Sequence, residues 1–403
     1  MSLRVTRPTI NLREKVNSLD HDIGAHGGAL MRSRTPAETF NLVQAGRRNL
    51  IINGGMEIYQ RGSYNTAVDV PNGNTYWMDR WLTNVAAEFN NEVEIFQNKA
   101  DIYPPAGFRY CMSMRCKTAS FGTSGAYWNF RQKIEGTNMA HLHWGYEDAK
   151  PVSLQFWVRA NRTGSYAVSM RNAQSDWSIV YPYTINQADT WQHVKMENIP
   201  GATHESWSTG TGEGMTLNFG FGSSQNTSYR VKEGELGVWQ ATGSTGYVTQ
   251  RDFTDRVDNQ LHLTGVQLEQ GSFCTPFDHR PYGEELHLCM RYYYKLHNAD
   301  GDQLRFVGYG GGGTSAGFSL IHKPPMRATP TGLLTVSSGN FSYNDGIAAY
   351  SGNNGGGGWS FSGNRFSCDV NTTTDAANTA IRSKALSIYS GGSGTTIELN
   401  AEL

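Results

Sequence analysis

Residues 261–296 read LHLTGVQLEQGSFCTPFDHRPYGEELHLCMRYYYKL, and the hydrophobic pattern changes twice within them. Apolar residues first alternate as in a strand, with a shift of phase at Gly265 that predicts a β-bulge. Two prolines within 274–281 then predict an extended connection across a surface. Beyond it, four residues at i, i+3, i+4 and i+7 predict a connecting helix over 283–297: Leu286, Cys289, Met290 and Tyr293. This stretch therefore predicts the close of one domain and the start of another.

Length and charge limit the kind of protein this can be. A chain of 403 residues predicts two or three domains. Its 34 Lys and Arg residues nearly balance 35 Asp and Glu residues, so no net field favours nucleic acid or an acidic membrane surface. No window approaches the roughly 20 apolar residues of a membrane span. We expect no nucleic-acid partner and no membrane insertion.

The strand patterns predict a mainly β protein, and 46 glycines with an aromatic share of 12% fit that class. Short period-two segments separated by Gly, Asn, Pro and Ser predict an antiparallel jelly-roll sandwich. Its predicted strands are 76–85, 93–96, 110–116, 126–134, 152–160, 166–171, 193–199, 215–221, 234–240 and 261–268. A second, Gly-rich β pattern predicts strands at 305–308, 317–322, 332–336, 341–343, 359–361, 365–370, 385–389 and 395–399. The predicted domains are an N-terminal helical attachment segment (1–47), the jelly roll (48–282), the connecting helix (283–297) and a Gly-rich β domain (298–403).

A short heptad pattern precedes the jelly roll. Val5, Leu12 and Leu19 are spaced by seven residues, and Val16 and Ile23 form the interleaved set. Such a pattern predicts a helix of about two and a half heptads, which is marginal alone. We interpret it as part of an oligomeric coiled coil or a segment docked on another protein, followed by a hinge at 24–28. The alternative is an amphipathic helix packed on its own domain.

Candidate chemistry is sparse. Five cysteines lack paired metal spacing, and we interpret them as reduced core thiols: Cys111, Cys116, Cys274, Cys289 and Cys368. No distinctive pair of carboxylates indicates glycoside hydrolysis. We predict no enzyme activity and no cofactor, with a polysaccharide depolymerase as a minor alternative. His141 and His143 would face the same way on a strand and could meet as metal ligands on a trimer axis; the alternative is two half-exposed histidines.

Aromatic side chains can stack under a sugar ring, with neighbouring polar groups fixing its hydroxyls. Glycine-rich loops at 310–313 and 353–358 are flanked by the predicted glycan-binding residues Tyr309, Tyr350 and Trp359. The sandwich adds further candidates: Trp128, Trp177, Tyr181, Tyr183 and Trp207. Three consecutive tyrosines on the predicted helix would spread over some 200° of its surface, so we predict Tyr292 and Tyr294 as contacts between subunits.

Several stretches resemble the jelly-roll module of tailed-phage and prophage fibre-type proteins. They are NLIINGGMEIYQRG at 49–62, DRW at 79–81, VQLEQG at 266–271 and TPFDHRPYGEEL at 275–286, with fainter matches at 324–331 and 401–403. The stretches SLQFWVRAN, TWQHVKMENIPG and LNFGFG also resemble strands of carbohydrate-binding jelly rolls. In those modules the last strand often carries an aspartate near a structural calcium, and residues 263–266 lack that acid.

The resemblance implies a structural, non-enzymatic tail or head fibre protein. It implies a homotrimer that is attached through its N-terminus to other phage tail or capsid proteins and that recognises host surface polysaccharide or lipopolysaccharide. The expected location is the virion, after assembly in the bacterial cytoplasm. The alternative is a tail adaptor or capsid decoration protein that binds only other virion proteins.

Overall fold

The structure is a computed structural model, and it describes residues 25–32, 48–98, 101–120, 127–204, 207–223, 229–297, 305–310, 315–321, 324–335, 340–344, 349–353, 360–364, 367–373, 385–390 and 396–403. The chain divides into two compact units, Met1–Arg48 and Asn49–Leu403. The predicted domain boundaries at 282 and 297 stay a prediction.

In the first unit the described part is helix α1 (Ala25–Arg32), so the expected hinge at 24–28 was wrong. Ala29, Leu30 and Met31 favour a helix enough to outweigh the two glycines before them. The five heptad positions lie outside the described residues: Val5, Leu12, Val16, Leu19 and Ile23.

The second unit is built from strands with two further helices, α2 (Gly136–Met139) and α3 (Tyr282–Met290). The strands are β1 (Val68–Asp69), β2 (Gly73–Tyr76), β3 (Trp81–Val85), β4 (Val93–Gln97), β5 (Met112–Cys116), β6 (Tyr127–Glu135), β7 (Val152–Ala160), β8 (Gly164–Asn172), β9 (Ser178–Ile185), β10 (Gln192–Ile199), β11 (Glu213–Ser223), β12 (Arg230–Val231), β13 (Gly246–Tyr247), β14 (Gln260–Gln270), β15 (Tyr293–His297), β16 (Arg305–Gly310), β17 (Ser315–Ile321), β18 (Thr331–Thr335), β19 (Asn340–Asn344), β20 (Ala349–Asn353), β21 (Ser360–Gly363), β22 (Ser367–Thr373), β23 (Ala385–Ser390) and β24 (Thr396–Asn400).

Two antiparallel six-stranded sheets form a sandwich. Sheet A has the strand order β1-β4-β5-β14-β7-β10, and sheet B has the order β2-β3-β6-β11-β8-β9. The core between them is rich in aromatic rings, and Trp81 stacks on Phe130 with ring centroids 5.0 Å apart. The predicted mainly β fold with an antiparallel sandwich is confirmed.

Strand alternation explains how these sheets bury one face. On β7, Phe156 is fully buried in the core, while its neighbour Trp157 points outward and is half-buried. The bulge predicted at Gly265 is confirmed, because the pairing of β14 with β7 shifts register between Thr264 and Gln267. Gly265 has a φ of +62°, and a Cβ atom there would lie 2.6 Å from Phe108. Glycine alone fits this position without strain.

The stretches that resemble phage fibres form a buried framework at one end of the sandwich. Asn53 donates through Nδ2 to the carbonyl of Ile58 at 2.8 Å, and Trp81 donates through Nε1 to the carbonyl of Asn53 at 2.9 Å. The backbone N–H of Asn53 donates to the carboxylate of Glu285. Arg280 donates to the carbonyl of Ile51 at 3.1 Å. These residues therefore hold the fold together.

The predicted connecting helix is wrong in its second half. Helix α3 ends at Met290, and β15 begins at Tyr293. The tyrosine run favours a strand, and β15 pairs with β24 from Tyr293 opposite Asn400. Tyr292 is fully buried within its own chain, which corrects its prediction as a subunit contact; Tyr294 is half-buried.

Among the described residues, the second unit has three more sheets: a two-stranded sheet of β12 and β13, a three-stranded sheet of order β15-β24-β18 and a seven-stranded sheet of order β20-β19-β23-β16-β17-β22-β21. Strands β1, β9, β12, β13, β15 and β20 were not predicted. The strand predicted at 234–240 is wrong, since Glu233–Glu235 form a 3₁₀ turn there. Of the four cysteines with described side chains, all are free thiols: Cys111, Cys116 and Cys289 are buried, and Cys274 is half-buried.

Candidate binding site on the outer face of sheet B

A row of polar side chains crosses three adjacent strands on the outer face of sheet B. Arg131 on β6 is paired with Asn218 on β11, and Asn218 is paired with Ser169 on β8. Residues directly opposite each other in antiparallel strands point to the same face. Both chain neighbours of Asn218, Leu217 and Phe219, lie in the core, so the row points away from it.

These side chains carry polar atoms that are buried without a hydrogen-bond partner. The atoms are Arg131 Nε, Asn218 Oδ1 and Ser169 Oγ, together with Asn129 Oδ1 and Arg171 Nε on the same face; none finds a partner among the described residues. Asn218 is 0% exposed and Arg131 is 4% exposed. A buried polar atom left unpaired costs about 1–3 kcal/mol, so five of them on three adjacent strands make this face a candidate ligand site.

Two of these residues are arginines with little to neutralise them. Arg131 donates through Nη2 to Oδ1 of Asn74 at 2.8 Å. The side chain of Arg171 forms no hydrogen bond or ion pair with any residue that the structure describes, and its Nε is buried. Burial and then the positive charge of Arg171 lower the pKa of Arg131 to about 10. Burial also lowers the pKa of Arg171, opposed by the carboxylate of Glu213. Both guanidinium groups remain protonated at neutral pH.

Three half-buried tyrosines flank the polar row. Tyr76 on β2 lies opposite Leu82, which is itself paired with Arg131, so Tyr76 extends the row to the edge of the sheet. Tyr127 on β6 meets Tyr229 edge to face, with ring centroids 5.5 Å apart. We call this set the sheet B site; its members are Asn129, Arg131, Ser169, Arg171, Asn218, Tyr76, Tyr127 and Tyr229.

Other parts of the chain cover the outer face on both sides of this site. On one side, Val231 and Tyr247 pack against Ala167 and Val180 of β8 and β9. On the other, Arg291 donates to the fully buried carboxylate of Glu135 at 2.6 Å. The sheet B site therefore lies between two regions of the sheet that other parts of the chain cover.

The residues predicted to bind glycan in the C-terminal region are not brought together by the described structure. Tyr309 lies on β16 and Tyr350 on β20, which are three positions apart in the seven-stranded sheet. At about 4.8 Å per strand, that places their backbones some 14 Å apart. Trp359 and residues 311–314 and 354–358 lie outside the described residues. The prediction for these three aromatics stays untested.

The predicted histidine pair does not form as expected. His141 lies in a 3₁₀ turn, Ala140–Leu142, and His143 adopts a left-handed backbone with φ of +55°. The two residues are therefore not on a strand and do not share its face. His143 pairs with Asp148 and stacks on Tyr146, with ring centroids 4.1 Å apart. Within the described ranges, no group of three or more His, Cys, Asp or Glu side chains could hold a metal ion.

Most of the sandwich aromatics predicted to stack on sugars belong to the core. Trp128, Tyr183 and Trp207 are buried, and the ring of Trp207 meets Trp144 edge to face at 4.9 Å. Trp177 and Tyr181 are half-buried and pack against the same core. The rings of these residues therefore already pack against other side chains of the same chain. The prediction is corrected for the three buried residues.

Two other features resemble chemical sites. A cleft of about 530 Å³ lies beside β8 and β13, but its charged groups are paired: Arg251 contacts Asp255 at 3.3 Å within the cleft, and Asp252 contacts Arg230 outside it at 2.8 Å. Residues 313–317 have the spacing G-x-S-x-G, which the sequence reasoning missed. Ser315 begins strand β17, whereas a nucleophile elbow needs a strand-to-helix turn. Neither feature indicates catalysis.

Sequence reasoning also missed the sheet B site, although part of its signal was present. In the segment YWNFR, Asn129 and Arg131 alternate with Trp128 and Phe130. Polar residues on the outward positions of a central strand are a pattern for a functional face. Only the register of β6, β11 and β8 shows that such positions adjoin each other.

Comparisons with known proteins give weak likenesses. No family model matches the sequence, and no curated protein sequence matches it. Among solved structures, 27 chains match. One is the carbohydrate-binding module TmCBM61 in complex with β-1,4-galactotriose, 10% identical, covering 56% of this chain and 99% of that chain with a TM-score of 0.27.

Two further matches illustrate the range. The family 11 carbohydrate-binding module of a Clostridium thermocellum cellulase is 7% identical, covers 54% of this chain and 100% of that chain, and has a TM-score of 0.24. The enzymatically active domain of bacteriophage CBA120 tailspike protein 4 is 14% identical and covers 55% of this chain but 21% of that chain, with a TM-score of 0.24. Scores this low assign no function to the chain. No described helix is long and apolar enough to cross a membrane.

Proposed function

We propose that this chain is a non-catalytic glycan-binding protein and that the glycan binds at the sheet B site. One observation carries the proposal: four buried polar side chains and the half-buried Arg171, on neighbouring strands with Asn218 at their centre, each have a buried polar atom without a hydrogen-bond partner in the described chain. Sugar hydroxyls can both donate to and accept from such groups, and the apolar face of a sugar ring can stack on a tyrosine. Tyr127 and Tyr229 beside the row provide that second contact, whereas Tyr76 already donates to the carbonyl of Leu403 and has Arg61 over its ring.

We further propose that the protein is a homotrimeric phage fibre, attached to the particle through its N-terminal segment, that recognises polysaccharide or lipopolysaccharide of the host surface. The support is the resemblance of residues 49–62, 79–81 and 266–286 to fibre-type jelly rolls. Those stretches form a buried framework at one end of the sandwich and are separate from the polar row of the sheet B site. A fibre of this kind would be located on the virion.

The first test is binding of the purified full chain to an array of bacterial surface polysaccharides and lipopolysaccharides. A glycan that is retained is then titrated by calorimetry against wild type, Asn218→Ala and Asn186→Ala. Asn186 is an exposed asparagine outside the site and serves as the matched control. Loss of a buried hydrogen bond costs about 1.5 kcal/mol, so Asn218→Ala should bind about tenfold more weakly while the control is unchanged.

Three results would contradict this proposal. Retention of no glycan, with capture of other virion proteins, would favour the adaptor or decoration protein. Release of reducing sugar from a bound polysaccharide would show a depolymerase. Equal affinity of wild type and Asn218→Ala would place the glycan elsewhere on the chain.

A further inference from the structure

We infer that the sheet B site is specific for an acidic glycan, whose carboxylate or phosphate group lies between Arg131 and Arg171. This inference rests on the proposed function and names the class of glycan. It follows from the charges of the site, from the positions of the two arginines on one face of the sheet and from the hydrogen-bond partners that their Nε atoms lack.

The charged side chains around the site are unbalanced. Lys133, next on the same face of β6, forms an ion pair with Glu213 at 2.9 Å, and these two charges cancel. Glu213 also accepts a hydrogen bond from Thr216. The guanidinium groups of Arg131 and Arg171 then remain, and the structure gives neither of them a carboxylate within ion-pair distance among the described residues. The site therefore has a local excess of positive charge in a chain whose net charge is −1.

The two arginines lie on the same face of the sheet, on the strands at either side of β11. Arg131 is paired with Asn218 and Arg171 with Thr216, which are two residues apart on that strand. Their backbones are therefore separated by about 10 Å across the sheet and about 7 Å along it. Two arginine side chains can bridge that separation towards a shared ligand. In keeping with this register, burial and then the positive charge of Arg171 lower the pKa of Arg131.

An anion fits this arrangement better than a neutral sugar does. The buried charge of Arg131 and the half-buried charge of Arg171 repel each other, and a neutral ligand would cover them without relieving that repulsion. A carboxylate or phosphate would neutralise them, and the planar guanidinium group can donate two parallel hydrogen bonds to either. The unpaired Nε atoms of Arg131 and Arg171 are the donors that such a contact would use. The tyrosines would hold the sugar ring that carries the acid.

The experiment compares native acidic bacterial polysaccharides with the same polysaccharides after chemical change. Carboxyl reduction converts uronates to neutral sugars, and dephosphorylation removes phosphate, so the two treatments identify which acid is bound. Affinities of the full chain are measured by calorimetry at two salt concentrations. We expect one treatment to weaken binding at least tenfold, and binding to the untreated polysaccharide to weaken with salt.

Variants assign the effect to the arginines. Arg171→Gln should abolish the discrimination between native and treated polysaccharide, and Arg171→Lys should keep part of it. The control is Arg159→Gln on the outer face of sheet A, where Arg159 pairs with Asp189 at 3.3 Å; it should leave the discrimination unchanged. Thermal unfolding shows whether each variant is folded. If Arg171→Gln does not fold, the comparison of native and treated polysaccharide on the wild-type chain still tests the acidic specificity.

The outcomes separate the two proposals. Binding of neutral glycans with equal or higher affinity would overturn the acidic specificity and leave glycan binding intact. Unchanged discrimination in folded Arg171→Gln would also overturn it. If no glycan of either charge binds, the proposed function itself fails, and the acidic specificity fails with it.

Discussion

Arg131 and Asn218 are paired across β6 and β11, and each carries a buried polar atom without a hydrogen-bond partner among the described residues. Both sit on central strands of a sandwich whose core is packed with aromatic rings. Side chains on such strands are held in place more firmly than those on loops, so a ligand would meet groups that are already oriented. The predictions below follow from this arrangement and from the contacts that frame it.

Tyr127 should contribute to glycan affinity through its ring. Its half-buried side chain meets Tyr229 edge to face beside the polar row. An aromatic contact contributes about 0.5–1.5 kcal/mol in addition to the free energy of burying apolar surface. Tyr127→Ala should therefore weaken binding about threefold to tenfold in calorimetry. Tyr127→Phe keeps the ring and should bind like wild type. If Tyr127→Phe lost as much affinity as Tyr127→Ala, the hydroxyl rather than stacking would be the contact.

Glu135 should make the protein sensitive to acid. Although burial alone raises the pKa of this carboxyl, hydrogen bonds from Arg291, Tyr292 and Thr137 hold it below its ordinary value of 4.5. The unfolded chain therefore binds a proton at higher pH than the folded chain does. The stabilisation is complete above about pH 4.5 and is lost as pH falls through the lower folded pKa.

Chemical denaturation between pH 3 and pH 7 measures this effect. Glu135→Gln should have a lower free energy of unfolding than wild type at pH 7. The difference between the two proteins should become smaller as the pH falls below 4.5. The same variant leaves the sheet B site intact, so glycan binding at pH 7 serves as a control for its fold. A gap that stays constant with pH would show that the charge of Glu135 does not stabilise the fold.

Arg80 and Glu402 should be energetically coupled. They form an ion pair in which both side chains are less than 5% exposed, and Arg80 also lies over the ring of Tyr292 at 3.5 Å. Breaking a buried pair leaves an uncompensated charge and costs about 3–5 kcal/mol, so Glu402→Leu alone should be strongly destabilising. The two single variants each lose free energy of unfolding. The double variant Arg80→Met, Glu402→Leu should lose at least about 1 kcal/mol less than the sum of those two losses.

Urea denaturation of wild type, both single variants and the double variant measures this coupling. Arg61 also contacts Glu402, at 3.1 Å. The variant Arg61→Met is therefore included to measure how much of the stabilisation by Glu402 comes from Arg61. Strict additivity of Arg80→Met and Glu402→Leu would contradict the coupling.

The sequence was informative where local pattern and fold agree. The bulge at Gly265 and the strand 152–160 were predictable, because a phase shift at a glycine and strict alternation each have one structural meaning. The tyrosine run was misjudged because Tyr293 continues the helical spacing of Leu286 and Cys289. Pairing of β15 with the distant β24 decided its structure, and no local pattern contains that information.

The candidate site was less predictable than the fold. Trp128 and Trp207 were predicted as exposed aromatic residues, but both side chains are buried in the core. The sheet B site depends on three strands that are far apart in sequence and adjoin only through sheet order, with Arg131, Ser169 and Asn218 each on a different one. Strand registers, and not residue types alone, were needed to find it.

The position of a bound glycan, determined by crystallography of the full chain with a polysaccharide fragment selected on the array, would decide whether the sheet B site is the binding site. We predict density for a sugar beside Tyr127, with an acidic group between Arg131 and Arg171 and a hydroxyl within hydrogen-bond distance of Asn218. Density on the seven-stranded sheet or on the outer face of sheet A, with the sheet B site unoccupied, would contradict it.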